Sequence, residues 1–477
     1  MSTIRENLPL VVDLDGTLAK TDLLVESCFQ LLRAQPLVLF ILPVILFMRG
    51  KAALKAYIAE RVTLDPALIP YNEELVAFLR EEKAKGRFIV LATASNFKLA
   101  SSIADYFDLF DEVYASTASV NLSGEQKQRK LVAVFGENAF AYAGNAHADK
   151  KVWHSASEVI VVNPEVGLIQ SLRKSYRIDR LFVQGVVKQL EILKALRCHQ
   201  WVKNLLIFIP LFLSHEYHEA LNWFNAVLAF FTFCLCASSV YLLNDLIDLP
   251  DDRVHPDKCK RPFASGSLSP VLGVFLIPVL LLSAVLMASL LSMQLLVVLL
   301  GYYALTVTYS FLLKRKMIAD VIALALLYTC RIVAGTVVLN VPHSFWLLAY
   351  SMFIFLSLAI IKRYVELRKS MQNTGGKISG RDYQVSDFEL LASLGGSSGY
   401  ISVLVIALYL NSQEVTRLYQ NPQLLWLICP ILLYWVSRTW LKAHRGLVAS
   451  DPIIWALKDR VSYVAGGLLL VIVFWAK

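Results

Sequence analysis

The sequence predicts two architectures in one chain: an α/β domain on a doubly wound parallel sheet, then an all-α polytopic membrane domain of about nine transmembrane helices. Short apolar runs alternate with helical stretches through residues 1–190, as strand and crossover helix do in a doubly wound sheet. From about residue 195 onward one apolar run follows another, most of them near the length a bilayer core requires. The chain is 57% hydrophobic with a mean hydropathy of +0.55, beyond the apolar share of soluble domains. Its seven cysteines are scattered without CxxC pairs, which argues against a disulfide framework. The net charge of +9 lies mainly between apolar runs, so it is read as membrane orientation and phosphate chemistry rather than nucleic-acid binding.

Within the first domain, Leu8–Val12 is a β-type run that ends in Asp13-Leu14-Asp15-Gly16-Thr17. Acids at the carboxyl end of a buried parallel strand sit where open α/β sheets bind ligands. Phe88–Ala92 is a second run ending in Thr93-Ala94-Ser95, and Ala139–Ala143 a third, ending in Gly144-Asn145-Ala146-His147-Ala148-Asp149. A helical insertion occupies roughly residues 19–85. Within it, residues 37–48 are apolar but too short to span a bilayer, so they form either a buried helix or a membrane-surface contact, the latter favoured here. Arg173, Lys174, Arg177, Arg180, Lys188, Lys194, Arg197 and Lys203 give residues 170–203 the character of a basic helical linker beside anionic headgroups.

The Asp-Leu-Asp-Gly-Thr run after an apolar strand resembles the first motif of the haloacid dehalogenase (HAD) superfamily of phosphotransferases and phosphatases. The resemblance implies Asp13 as nucleophile and Mg²⁺ ligand, Asp15 as general acid/base, and Thr93 as a phosphate ligand. It also implies Lys130, or else Lys127, as the phosphate-neutralising lysine, and makes the insertion the family's cap. A carboxylate nucleophile beside a metal forms an aspartyl-phosphate. The family's acidic motif usually opens Gly-Asp, whereas this chain has Gly144-Asn145 and keeps Asp149 as a metal-side acid. Catalysis and a non-catalytic role of this domain both stay open on that departure.

In the second domain, apolar runs lie near residues 201–214, 221–243, 270–289, 293–313, 319–340, 343–361, 390–410, 422–441 and 460–476. Alternate loops carry Arg253, Lys258, Lys260 and Arg261, then Lys314, Arg315 and Lys316, then Lys362, Arg363, Arg368, Lys369, Lys377 and Arg381, then Lys442, Arg445, Lys458 and Arg460. The opposite loops carry only Arg417, so the positive-inside rule places the basic loops and the first domain in the cytoplasm, with a bacterial inner (plasma) membrane as location.

After the second run come Asn244, Asp245, Asp248 and Asp252, spaced to share one helix face, and the basic cluster Arg253, Lys258, Lys260 and Arg261. Carboxylates suit Mg²⁺, which takes one or two of them plus substrate phosphates, and the cations suit the remaining phosphate charge. A polar loop between spans is the alternative, but it leaves three acids at helical spacing beside a bilayer unexplained. Arg331 falls inside an apolar run and binds either phosphate or an intramembrane polar partner. The small residues Ser393–Gly399 fit close helix packing better than a phosphate loop.

The run count and the Asn-Asp-x-x-Asp-x-x-x-Asp motif resemble the UbiA superfamily of intramembrane prenyltransferases over residues 195–477. Members with aromatic acceptors carry a second DxxxD motif, whereas this chain has Lys362-Arg363-Tyr364-Val365-Glu366 in that loop. That departure, with the segments around Arg197–Asn204, His255–Pro262 and Tyr309–Lys314, resembles the decaprenyl-phosphate phosphoribosyltransferase branch. The resemblance implies transfer of 5-phosphoribosyl from phosphoribosyl pyrophosphate (PRPP) to polyprenyl phosphate, giving a lipid-linked pentose donor of the kind used in cell wall biogenesis. Asp245, Asp248 and Asp252 would hold Mg²⁺, with Asn244 in the same shell, and Lys258 and Arg261 would stabilise the leaving diphosphate. Lys203, Asn204, Lys314, Lys362 and Arg363 would grip phosphates, and Asp320 and Glu366 would meet ribose hydroxyls or a second metal. The first domain would then dephosphorylate the product. A prenyltransferase using prenyl diphosphate, or a non-catalytic lipid-binding protein, is the alternative, and a homo-oligomer is compatible with either.

Overall fold

The computed structural model describes all residues except 1–7, 166, 184–187, 374–381, 413–414, 416–418, 450 and 477. Lys377, Arg381 and Arg417, used above for loop charge, lie outside the described residues. Contacts divide the chain into two compact units, Met1–Leu196 with Tyr241–Pro278, and Arg197–Val240 with Val279–Lys477. The division differs from a simple cut near residue 195, because the acid-rich stretch belongs to the same unit as the α/β domain.

The first unit holds six parallel strands: β1 (Leu10–Val12), β2 (Ile89–Asn96), β3 (Glu112–Ser116), β4 (Ala141–Gly144), β5 (Glu158–Val162) and β6 (Ile178–Phe182). Their order is β3-β2-β1-β4-β5-β6. Side chains alternate across each strand, so Leu10 and Val12 enter one buried cluster with Leu75, Leu79 and Ile89. Val11 enters the other, with Val90, Leu131, Tyr142 and Trp153. Both faces of β1 are therefore covered, which explains its uninterrupted apolar run. Strand order reverses between β1 and β4, and the crevice beyond their carboxyl ends is the expected ligand position. The basic-linker expectation is corrected here: residues 178–182 form β6, and Arg180 lies 4.3 Å over the Phe78 ring.

Between β1 and β2 lie α1 (Leu23–Ala34), α2 (Val38–Arg61) and α3 (Glu73–Ala84). Asp22 caps α1 by accepting from the Val25 N–H at 2.9 Å. The choice left open for residues 37–48 is resolved against a buried helix: Phe40 is 73% and Phe47 93% exposed. Gly50, at φ +78°, breaks α2 between this apolar arm and a half-buried second part that packs Leu54 and Ile58 inward.

Among the described residues, seven helices are long and apolar enough to cross a membrane: Ala220–Ile247, Pro270–Leu291, Met293–Phe311, Ala319–Val338, Phe345–Met371, Val385–Leu410 and Pro422–His444. The expectation of nine is corrected, because Cys198–Leu213 and Arg460–Ala476 are apolar helices too short to qualify. In the second unit, a Cβ on Gly395 would stand 2.1 Å from Trp440, and one on Gly399 would stand 2.6 Å from Val436. The small residues at 393–399 thus serve close helix packing.

Candidate active site

In the first unit, Asp13 leaves β1 into the crevice, 8% exposed, and Lys127 Nζ donates to its Oδ1 at 2.7 Å. Lys127 also donates to Tyr142 Oη at 3.0 Å and stands 3.9 Å from Asp149. Lys130, the lysine first favoured for this position, is instead exposed and lies 5.3 Å over the Tyr114 ring. Both lysines lie on α5 (Glu125–Phe135), and burial separates them: Lys127 is 3% exposed against the crevice, whereas Lys130 is exposed.

Asp15 accepts from the Leu23 N–H at 2.9 Å, from Ser95 Oγ at 2.6 Å and from Thr93 Oγ1 at 3.5 Å. Thr93 is fully buried, and its hydroxyl accepts from the Ser95 N–H. Asp149 accepts from Tyr142 Oη at 2.7 Å and from the N–H groups of Asn145 and Ala146 at 3.1 and 3.0 Å. Asn145 Oδ1 accepts from Thr17 Oγ1 at 3.3 Å. Gly16, at φ +75°, passes so near Asn145 that a Cβ there would stand 2.2 Å from its amide nitrogen.

Burial pushes the Asp13 carboxyl up to about 7, with Lys127 opposing the rise and Asp149 adding to it. Burial, then the Asp22 charge, pushes Asp15 up to about 6. Burial alone would lower the Lys127 ammonium, but Asp13, Asp149 and Asp15 hold it above its ordinary range. The result is one cation beside two carboxyls, Asp13 and Asp15, that burial raises toward neutral pH, a pattern suited to acid–base and nucleophilic work. Sequence reasoning missed Lys55, whose Nζ donates to Ala94 O at 2.5 Å and to Asn121 Oδ1 at 2.8 Å. It comes from the insertion, and no local pattern marks it.

The acid-rich stretch takes a different shape from the shared helix face expected. The helix α10 (Ala220–Ile247) ends before Asp248, which precedes a separate short helix, α11 (Leu249–Val254). Pro250, in the first turn of α11, cannot donate the hydrogen bond that a continuous helix would need. Asp245 and Asp252 are nonetheless joined, because Arg261 Nη1 donates to both, at 3.1 and 2.5 Å. Lys258 Nζ stands 3.9 Å from Asp252, and burial raises the Asp252 carboxyl while Arg261 lowers it. Arg253 does not face these acids: it donates to Glu26 of α1 at 2.9 and 2.5 Å and to Ala264 O at 3.2 Å. Arg33 of α1 pairs with Asp251 at 2.7 Å.

The donor set fits a hard cation that arrives with a phosphate. Two carboxylates already share one positive charge, and Asn244 Oδ1 is buried with no hydrogen-bond partner among the described residues. Among those residues no three His, Cys, Asp or Glu side chains gather as an all-protein metal cage. Mg²⁺ does not need one, since it takes one or two carboxylates and completes its shell with water and substrate phosphate.

The second unit holds the other predicted residues. Lys203 Nζ donates to Asp451 at 2.5 Å, and burial of that carboxyl is overruled by Lys203 and Lys362, which hold it below its ordinary range. Lys314 and Lys362 are half-buried. Asn204 is paired within the bundle: its Oδ1 accepts from Arg331 Nε at 2.7 Å, and Arg331 also donates to Tyr302 Oη at 2.9 Å. Arg331 therefore takes its polar-partner alternative. Arg363, Asp320 and Glu366 are brought together as one paired group. Arg363 is wholly buried and donates to Asp320 at 2.5 Å, to Glu366 at 2.6 Å and to Tyr309 Oη at 2.9 Å, while Tyr383 Oη donates to Asp320 at 2.6 Å. A guanidinium buried among apolar helices needs its charge and donors met from within, and these partners meet them.

The fold and these sites define a multi-pass helical membrane protein carrying a parallel α/β domain with a carboxylate–lysine crevice. The UbiA prenyltransferase family model matches residues 205–446, and the chain belongs to that family. An uncharacterised protein of Sinorhizobium fredii is 35% identical over 97% of this chain and 90% of its own length, so its resemblance includes the α/β domain. The nodulation protein NoeC of Azorhizobium caulinodans is 36% identical over 59% of this chain and 92% of its own. The decaprenyl-phosphate phosphoribosyltransferase of Mycolicibacterium smegmatis is 36% identical over 39% of this chain and 60% of its own length.

Proposed function

We propose that the membrane domain transfers 5-phosphoribosyl from PRPP to a polyprenyl phosphate, and that the α/β domain removes the 5-phosphate from the product. The relationship to a decaprenyl-phosphate phosphoribosyltransferase is the observation that carries this reading. The charge arrangement supports it: Asp245, Asp252 and Asn244 offer oxygen donors, and Arg261 and Lys258 offer cations, as a diphosphate leaving group requires. A lipid phosphate oxygen attacks the anomeric carbon, the bond to pyrophosphate breaks, and pyrophosphate leaves. The attacking phosphate is already ionised, so no strong base is required. Asp245, Asp248 and Asp252 would hold Mg²⁺, which would supply charge neutralisation for the leaving diphosphate. Lys203, Lys314 and Lys362 are the cations proposed to grip the acceptor or the 5-phosphate.

For the α/β domain, Asp13 is the nucleophile, Lys127 neutralises the phosphoryl oxygens and Asp15 handles the proton. The basic loops and this domain face the cytoplasm.

The test is mass spectrometry of the lipid formed by purified protein in liposomes given PRPP and mixed prenyl phosphates, with prenyl diphosphate and an aromatic acceptor as the competing arm. Formation of a prenyl-phosphoryl pentose that disappears in Asp245→Ala is the expected result. Product only in the competing arm, or lipid binding without any product, overturns the reading.

A further inference from the structure

The first unit contains a cavity of about 1170 Å³, above the ~300–1,000 Å³ of ordinary small-molecule sites. Asp15, Gly16 and Asn145 of the phosphatase-like crevice form part of its lining. Another part comes from beyond the acid-rich stretch: Ser267, Ser269, and then Val271, Leu272 and Phe275 in the first turns of α12 (Pro270–Leu291). That helix is apolar enough to span a bilayer, and Val271 and Phe275 are 48% and 64% exposed, so in a membrane they meet acyl chains. Lys20 and Arg173 add positive charge to the same lining, and Ile169 and Val183 add apolar surface. One cavity thus joins an acid–base carboxylate, cations, hydroxyls and a lipid-facing helix.

Its wall is built rather than incidental. Gly266, at φ +75°, approaches the α/β domain so closely that a Cβ would stand 2.8 Å from Lys20 Cβ and 3.1 Å from Pro70. The Glu26–Arg253 pair, with side chains 5% and 7% exposed, ties the acid-rich stretch to α1. Removing either partner would strand a buried charge, so this pair resists separation.

Resting on the phosphatase reading above, we propose that the α/β domain acts on a membrane lipid phosphomonoester that enters sideways from the bilayer along α12. Its apolar chain stays beside Leu272 and Phe275, its polar head lies past Ser267, Ser269 and Arg173, and its terminal phosphate reaches Asp13. An Asp13 oxygen attacks phosphorus, the phosphorus–oxygen ester bond breaks, and the departing alkoxide takes its proton from Asp15. Water then attacks the aspartyl-phosphate, returns a proton to Asp15 and releases inorganic phosphate. The lipid never leaves the membrane. Water-soluble sugar phosphates fill only the polar part of the cavity and gain nothing from its apolar wall.

The experiment uses the full chain in vesicles and measures phosphate release from geranylgeranyl-phosphoryl-5-phosphoribose, from dioleoyl phosphatidate and from ribose 5-phosphate in the buffer. The expected kcat/KM for the prenyl substrate exceeds that for ribose 5-phosphate by about a hundredfold, and Leu272→Trp lowers that ratio about tenfold. Taking a ratio within each variant separates a blocked entry from a damaged fold, and Phe275→Asp is a second variant placed to lower the same ratio. Good turnover of phosphatidate supports the lipid class and separates it from the sugar. A wild-type ratio near one, or a ratio unchanged in both variants, overturns lateral lipid entry while leaving a phosphatase in place. No Asp13-dependent release from any substrate overturns the phosphatase reading itself.

Discussion

Lys127 is the residue on which the α/β site turns, because it alone among the described residues brings an ammonium within 4 Å of both Asp13 and Asp149. Lys127→Met leaves these buried carboxylates without their cation, a change of about 3–5 kcal/mol by analogy with other broken buried pairs. The pH dependence has a definite sign. Asp13 holds its proton to about pH 7 in the fold but only to the ordinary acid range when unfolded, so unfolding releases protons and stability falls as pH rises between them. Losing Lys127 raises the folded value further and extends the decline upward. Thermal unfolding of Lys127→Met without divalent cations should therefore show a midpoint that falls between pH 6 and 9 more steeply than wild type. Lys130→Met, at an exposed position, should behave as wild type. Arg363 poses the same question inside the membrane domain. Arg363→Ala strands Asp320, which is 0% exposed, and should lower the unfolding midpoint in detergent well beyond the effect of Lys362→Ala. Equal midpoints for the two variants would return Arg363 to the substrate-binding set.

At the scale of elements, α2 and the α10–α11 junction depart from what helical periodicity alone implies. The first half of α2 presents Phe40, Phe47 and Met48 outward, although burying any one of them would be worth about 1.5–3 kcal/mol. A surface of that kind is stable beside lipid. Relative to the unsubstituted protein, which already holds nine tryptophans, Phe47→Trp should therefore add emission in the blue that brominated lipid quenches. An added component with water-like emission and no quenching would show that α2 does not touch the bilayer. At the second junction, Pro250 separates Asp252 from the helix that carries Asp245, and Arg261 reconnects them. The acids are thus held by a loop and a guanidinium instead of by helix pitch.

At the scale of the molecule, a helical membrane domain and an α/β domain share one chain. In the proposed reading, joining them would keep the second reaction close to the product of the first and raise the effective concentration without any new contact. If the proposed sequence holds, Asp13→Asn should continue to release pyrophosphate from PRPP while lipid-linked phosphoribose accumulates and inorganic phosphate does not. Asp245→Ala should release neither, and phosphate release should return when the phosphorylated lipid is supplied. Pyrophosphate and phosphate both unchanged in Asp13→Asn would separate the α/β domain from this chemistry.

What the sequence by itself determined is whatever depends on local pattern. The acids after β1 follow from an apolar strand and a short motif, the membrane helices from run length, and the packing role of residues 393–399 from small side chains. The acid-rich stretch and its neighbouring cations were legible for the same reason, since charge and spacing are written in order along the chain. Only the tertiary structure decided partners across long separations. It set Lys127 against Asp13 and left Lys130 at the surface, brought Lys55 from the insertion, and set Arg363 against Asp320, 43 residues away. It also gave Asn204 to Arg331, 127 residues away, and turned Arg253 from the acids to Glu26. A buried charge must be satisfied by whatever the fold places beside it, and no one-dimensional pattern records that neighbour.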